Sequence, residues 1–163
     1  MLANLLQGIY DTPIATMVRE NGTLFPTIES IHVLSLVVVV GSIAVVDFRL
    51  LGLTSHRRSA TTLIKELLPF TWVAFVIAVM TGALMFSANA ISYAANWFFI
   101  AKIVTLGLAG VNMAVFHLGA YRTIGQWGDI LPPPPGARIA GAASLILWTL
   151  IVVFGRWIGF TLQ

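Results

Sequence analysis

Residues 35–46 read SLVVVVGSIAVV, a stretch with no charge and almost no polarity. Working outward, the apolar run extends from about Ile28 to Leu53, and its only ionisable residues are Glu29, His32, Asp47 and Arg49. A helix that crosses a bilayer needs about 20 mainly apolar residues, and this stretch has them. Three more stretches qualify: 67–88 (LLPFTWVAFVIAVMTGALMFSA), 97–121 and 138–160. None shows the period of two that barrel strands carry. The reading is an all-α integral membrane protein, an up-down bundle of four helices at 28–53, 67–88, 97–121 and 138–160. Short connectors imply that consecutive helices are adjacent and antiparallel.

Composition agrees. Of 163 residues, 58% are hydrophobic and 9% charged, against about 25% charged in an ordinary soluble domain. Mean hydropathy is +0.93. The net charge of +3 rests on nine Lys and Arg against six Asp and Glu, too few for a nucleic-acid binder. There is no cysteine, which excludes disulfides, thiolate metal sites and iron–sulfur clusters.

Punctuation sets the ends. Thr27 after Pro26 reads as the first helix start. Pro69 falls in the first turns of the second helix, where its missing N–H is tolerated. Pro132 to Gly136 forms a stiff spacer before the fourth. Arg57, Arg58 and Lys65 follow helix one, and Arg122 and Arg138 follow helix three, while the opposite loops offer only Arg19. Positive charge marks the cytoplasmic side, so both termini are expected in the periplasm and the protein in a bacterial inner membrane. Residues 1–26 form a separate amphipathic segment, with Leu2, Leu5, Leu6 and Ile9, then Ile14, Met17 and Val18, at helical spacing. It reads as one or two short helices at the outer interface, capping the bundle or docking a partner subunit.

Ionisable groups at membrane depth are expensive and mark candidate sites. They sort into two layers. Near the outer boundary lie His32, Met85, Lys102 and Arg156, with Trp157 at the rim. Near the inner one lie Asp47, Arg49, Asn112 and His117, close to the His56 loop. His32 and Asp47 are fifteen residues apart, as are Lys102 and His117, about four turns, so each pair shares a face. A neutral imidazole is a haem ligand and Met a common second one. Lys102 and Arg156 at the same level suit haem propionates, which makes His32 the candidate iron ligand and haem b the candidate cofactor. His32 and His117 lie about 25 Å apart along the bundle, too far to share one iron. For Asp47 the expected partner is a basic group across a helix interface, from Arg122 or the Arg57–Lys65 loop. A proton path through Asp47 and His117 is the alternative. Gly107, Gly110, Gly141, Gly155 and Gly159 are expected to permit close helix contacts.

Three segments carry a resemblance: IHVLSLVVVVGSIAVVDFRLLGL, WFFIAKIVTLGLAGVNMAVFH and GAASLILWTLIVVFGRWIGF. Through them the chain resembles an uncharacterised family of small bacterial four-helix inner-membrane proteins. More distantly, His32 early in helix one and Lys102 early in helix three are similar to the pattern of HemJ-type protoporphyrinogen oxidases and CopD-like copper-resistance proteins. That resemblance implies haem b in a four-helix bundle, carried onto His32 and Lys102 alone. The expected function is haem b-dependent electron transfer, with quinone as a candidate partner. The alternatives are an accessory subunit that associates with other membrane subunits or with itself, and a small transporter or copper-handling protein using His32, Met80 and Met85.

Overall fold

The computed structural model describes residues 1–53, 59–129 and 131–162. The expected basic loop residues His56, Arg57 and Arg58 lie outside the described residues. Four long helices dominate: α3 (Leu24–Leu50), α4 (Ala60–Ala88), α6 (Trp97–Leu118) and α8 (Pro135–Thr161). Each is long and apolar enough to cross a membrane. Short helices complete the chain: α1 (Leu2–Tyr10), α2 (Pro13–Glu20), α5 (Ala90–Ala95) and α7 (Ile124–Trp127), the last preceded by a 3-10 turn over Ala120–Thr123. The described residues contain no strand.

Three of the four long helices begin earlier than their apolar runs, and α6 begins at Trp97 as expected. Helix α3 starts at Leu24, because Pro26 fits a first turn that needs no N–H donor there. Helix α4 starts at Ala60, capped by the Ser59 hydroxyl accepting from Thr62 N–H at 3.0 Å. Lys65 and Glu66 therefore belong to α4, and Pro69 sits inside it rather than in its first turns. Helix α8 starts at Pro135, inside the run expected as a spacer through Gly136, because proline is tolerated at the first helical position. Helix α3 closes at Gly52, the one described residue with positive φ, at +77°. Gly52 N–H donates to Arg49 O at 3.1 Å and Leu53 N–H to Phe48 O at 3.0 Å, which is a Schellman closure.

Side-chain contacts fix the directions. His32 meets Ala78 and Thr81, and Ser42 meets Thr71, so α3 and α4 run antiparallel. Asn96 bonds Thr161 and Asn112 bonds Ala140, so α6 and α8 do too. The two pairs join where α3 packs on α8. There Gly141 lets the backbones close, since a Cβ on it would stand 3.1 Å from Leu50 Cβ and 3.2 Å from Asp47 O.

One expectation is corrected. Helices α4 and α6 are consecutive spans on a short connector, yet they form no packed pair. They touch where the connector holds them, through Phe86 stacked on Phe99 at 5.3 Å with Tyr93 edge-on to both. Beyond that point the connector no longer dictates their separation. Gly107, Gly110 and Gly159 likewise make no close helix contact, as a Cβ on any of them would meet nothing within 4 Å.

Much of the outer surface is apolar: Val37, Val73, Val76, Val104, Leu108 and Val111 are all exposed. A soluble monomer does not show contiguous apolar surface on this scale. With four spanning-length helices, the chain is a multi-pass membrane protein.

At the end of the bundle that carries the tail, Val18 of α2 packs with Ile28 and Ala88. Arg19 donates to Tyr10 O and Ala88 O and lies over the Tyr10 ring, tying both short helices to α4. Leu2, Leu5, Ile14 and Met17 stay exposed. At the opposite, loop end, Trp127 is buried with Leu50, Ile64, Phe116 and Ala140. Gly128 O accepts from Ala60 N–H at 2.8 Å and from Arg49 Nη2 at 3.2 Å. The α7 segment thus folds under the bundle and floors it.

Candidate functional site

The separation of α4 from α6 creates a cleft of about 380 Å³ in the loop-end half of the bundle. Its back wall is α3 and α8, and its sides are α4 and α6. The Phe86–Tyr93–Phe99 rings bridge α4 and α6 at the tail end, and the Trp127 cluster closes the loop end. The gap between α4 and α6 opens it sideways, past the exposed side chains of Trp72 and Met113. A sideways opening on a spanning bundle faces lipid.

The lining is mostly apolar and aromatic, with Trp72, Phe75, Phe116 and Trp148. A few polar groups converge in it, which is the usual character of a small-molecule site. Asp47 is 4% exposed and lines the cleft. It bonds Ser144, while its Oδ2 has no hydrogen-bond partner. No described Lys or Arg pairs with it; of the partners expected across a helix interface, Arg57 and Arg58 lie outside the described residues. Arg49, two residues on, faces elsewhere and reaches Gly128. Arg122 is exposed on the loop-end turn. Asn112 donates to Ala140 O at 3.0 Å, holding α6 to α8. His117 Nδ1 lies 2.9 Å from Met113 O. A carbonyl only accepts, so Nδ1 is the donor. Three of the four residues read as an inner layer, Asp47, Asn112 and His117, therefore share one cavity, and Arg49 does not.

The outer layer is only partly assembled. His32 Nδ1 lies 2.9 Å from Ala78 O and 3.0 Å from Thr81 Oγ1. Its ring edge rests on Gly82, where a Cβ would be 3.2 Å from Cε1. The same carbonyl logic puts the proton on Nδ1 and leaves the Nε2 lone pair available. Lys102 lies within electrostatic reach of His32, with its side chain across Gly155 of α8. Met85 instead packs against the Val18–Ile28–Ala88 cluster. Arg156 is exposed over Phe160, 4.7 Å from the ring, and Trp157 is exposed beside Phe98 and Phe160. The structure thus brings together His32 and Lys102, without the Met ligand or the second cation. Were haem b bound, His32 would be the residue to hold its iron and Lys102 the nearer cation for an acidic edge. No group of three or more metal-ligating side chains occurs among the described residues.

Attention to ionisable groups alone missed Ser42, Thr71, Ser144, Trp72 and Trp148. Their signal was present. Isolated hydroxyls recur in otherwise apolar spans, and Trp72 and Trp148 sit mid-helix, away from the interfaces where Trp usually collects.

The chain belongs to a family of unknown function (DUF6644), whose model matches residues 12–161. The match takes in every spanning helix and leaves α1 outside. No curated protein and no solved structure matches the chain.

Proposed function

We propose that this member of the DUF6644 family is a membrane-embedded binding protein that takes a lipid-soluble small molecule from the bilayer into the α4–α6 cleft. The observation that carries the reading is the cleft itself: about 380 Å³, aromatic-lined, with converging polar groups and a lateral opening. Ligand pockets commonly start at about 300 Å³. An isoprenoid quinone is one neutral ligand of suitable chemistry, with a flat ring and oxygen acceptors for Asn112 and Ser144. Lys65, Arg122 and Arg138 gather at the loop end, which supports that end as cytoplasmic and the termini as periplasmic in an inner membrane.

The test is tryptophan fluorescence of the purified chain titrated with decylubiquinone. Saturable quenching is expected, lost in Gly110→Leu, whose side chain enters open space in the cleft wall. Quenching that is linear, or equal in Gly110→Leu, contradicts the reading.

One observation favours a second reading, haem b-dependent electron transfer. A metal-ligating histidine usually donates its other N–H to a carbonyl, as His32 does to Ala78. His32 would hold the iron through Nε2, and Lys102 would meet a propionate. Haem b would supply a one-electron couple. The oxidised and dithionite-reduced visible spectra test it: a Soret band that disappears in His32→Ala supports it, and a flat spectrum after expression with added haem overturns it.

A further inference from the structure

We infer that the cleft is selective for a lipophilic cation, with Asp47 as its counter-charge. The inference rests on the binding reading above and names the ligand class. A carboxyl group buried in an apolar bundle is normally paired with a cation or fully hydrogen-bonded, because an isolated one is costly. Among the described residues Asp47 has neither arrangement. It is 4% exposed and lines the cleft, Ser144 is the side-chain partner of its carboxyl, and Oδ2 has no hydrogen-bond partner. No described Lys or Arg stands within ion-pair distance, and Arg49 is committed to the α7 segment.

The remaining lining supplies the other half of a cation site. Trp72, Phe75, Phe116 and Trp148 present ring surface to the same space. Aromatic faces attract cations, more strongly when water is absent. One carboxyl among several rings, reached from lipid, matches a bulky organic amine or onium ion. Such a molecule partitions into the bilayer by its apolar groups and is recognised by its charge. A neutral quinone would use the apolar walls and leave Asp47 Oδ2 with at most a hydrogen bond.

The experiment uses the full chain in detergent and three probes: tetraphenylphosphonium, its neutral counterpart triphenylphosphine oxide, and decylubiquinone. Tetraphenylphosphonium is expected to bind saturably and more tightly than the phosphine oxide in the unmodified protein. Asp47→Asn keeps the size and the Ser144 partner, and is expected to weaken the cation about tenfold or more, equivalent to about 1.4 kcal/mol. The neutral probes should be unaffected. Equal affinity for cation and phosphine oxide overturns the inference, and that comparison does not depend on any variant folding. Equal cation affinity in Asp47→Asn also overturns it. If neutral probes bind and the cation does not, the cleft is a binding site but not for cations. If no probe binds, both readings fall.

Discussion

At the residue scale, single contacts decide what each position tolerates. Gly141 is the narrowest point of the α3–α8 seam. Gly141→Leu would drive a side chain into Leu50 and the Asp47 backbone. Overpacking of this kind costs about 1–3 kcal/mol. Gly141→Leu is therefore expected to lower the thermal midpoint in detergent, whereas Gly107→Leu, which meets open space, should leave it nearly unchanged. An unaltered midpoint for Gly141→Leu would mean that the seam is looser than described. Tyr93 gives a pH prediction outside the spans. Burial, and then the Glu29 carboxylate, push its phenol above the ordinary tyrosine range. The folded state favours the neutral phenol, so this stabilisation is present below the unfolded tyrosine pKa and is lost as pH rises through the folded one. An ultraviolet titration should show the phenolate that is absent in Tyr93→Phe appearing later than in an unfolded control.

At the element scale, the helix ends carry the testable energetics. Gly52 holds the left-handed position that closes α3, and Gly52→Ala should cost about 1 kcal/mol in a reversible unfolding assay. Asn96 caps α6 by accepting from Phe98 and Phe99 N–H, and its amide donates to Thr161 at the end of α8. Asn96→Ala is expected to cost about 1 kcal/mol for the cap alone, and a larger loss would reflect the α8 link. The spans were legible because each is an unbroken apolar run longer than a bilayer core is thick. Their starts were less so. At Ala60 the Ser59 cap sets the boundary and at Leu24 the first turn is built around Pro26, and hydropathy reports neither. Pro26, expected just before the helix start at Thr27, lies in the first turn of α3, and Pro69, expected in the first turns of its helix, is carried inside α4.

At the scale of the whole molecule, the arrangement of the two helix pairs creates the site. The sequence places Asp47, Asn112 and His117 at one depth, and that follows from helix rise alone. It does not show that α4 and α6 part, because a short connector constrains only the ends that it joins. For the same reason depth grouped Met85, Arg156 and Trp157 with His32, while rotation about each helix axis sends them to other faces. The account stands or falls on whether lipid-soluble molecules reach the back wall of the cleft. Trp148 sits on that wall, half-buried on α8. A chain retaining Trp148 alone, with Trp72, Trp97, Trp127 and Trp157 replaced by Phe, should be placed in vesicles of brominated-chain phospholipid. The account predicts strong quenching of Trp148, reduced when Gly110→Leu fills the cleft. Emission insensitive to the brominated chains would mean that the cleft is sealed from the bilayer, and would contradict it.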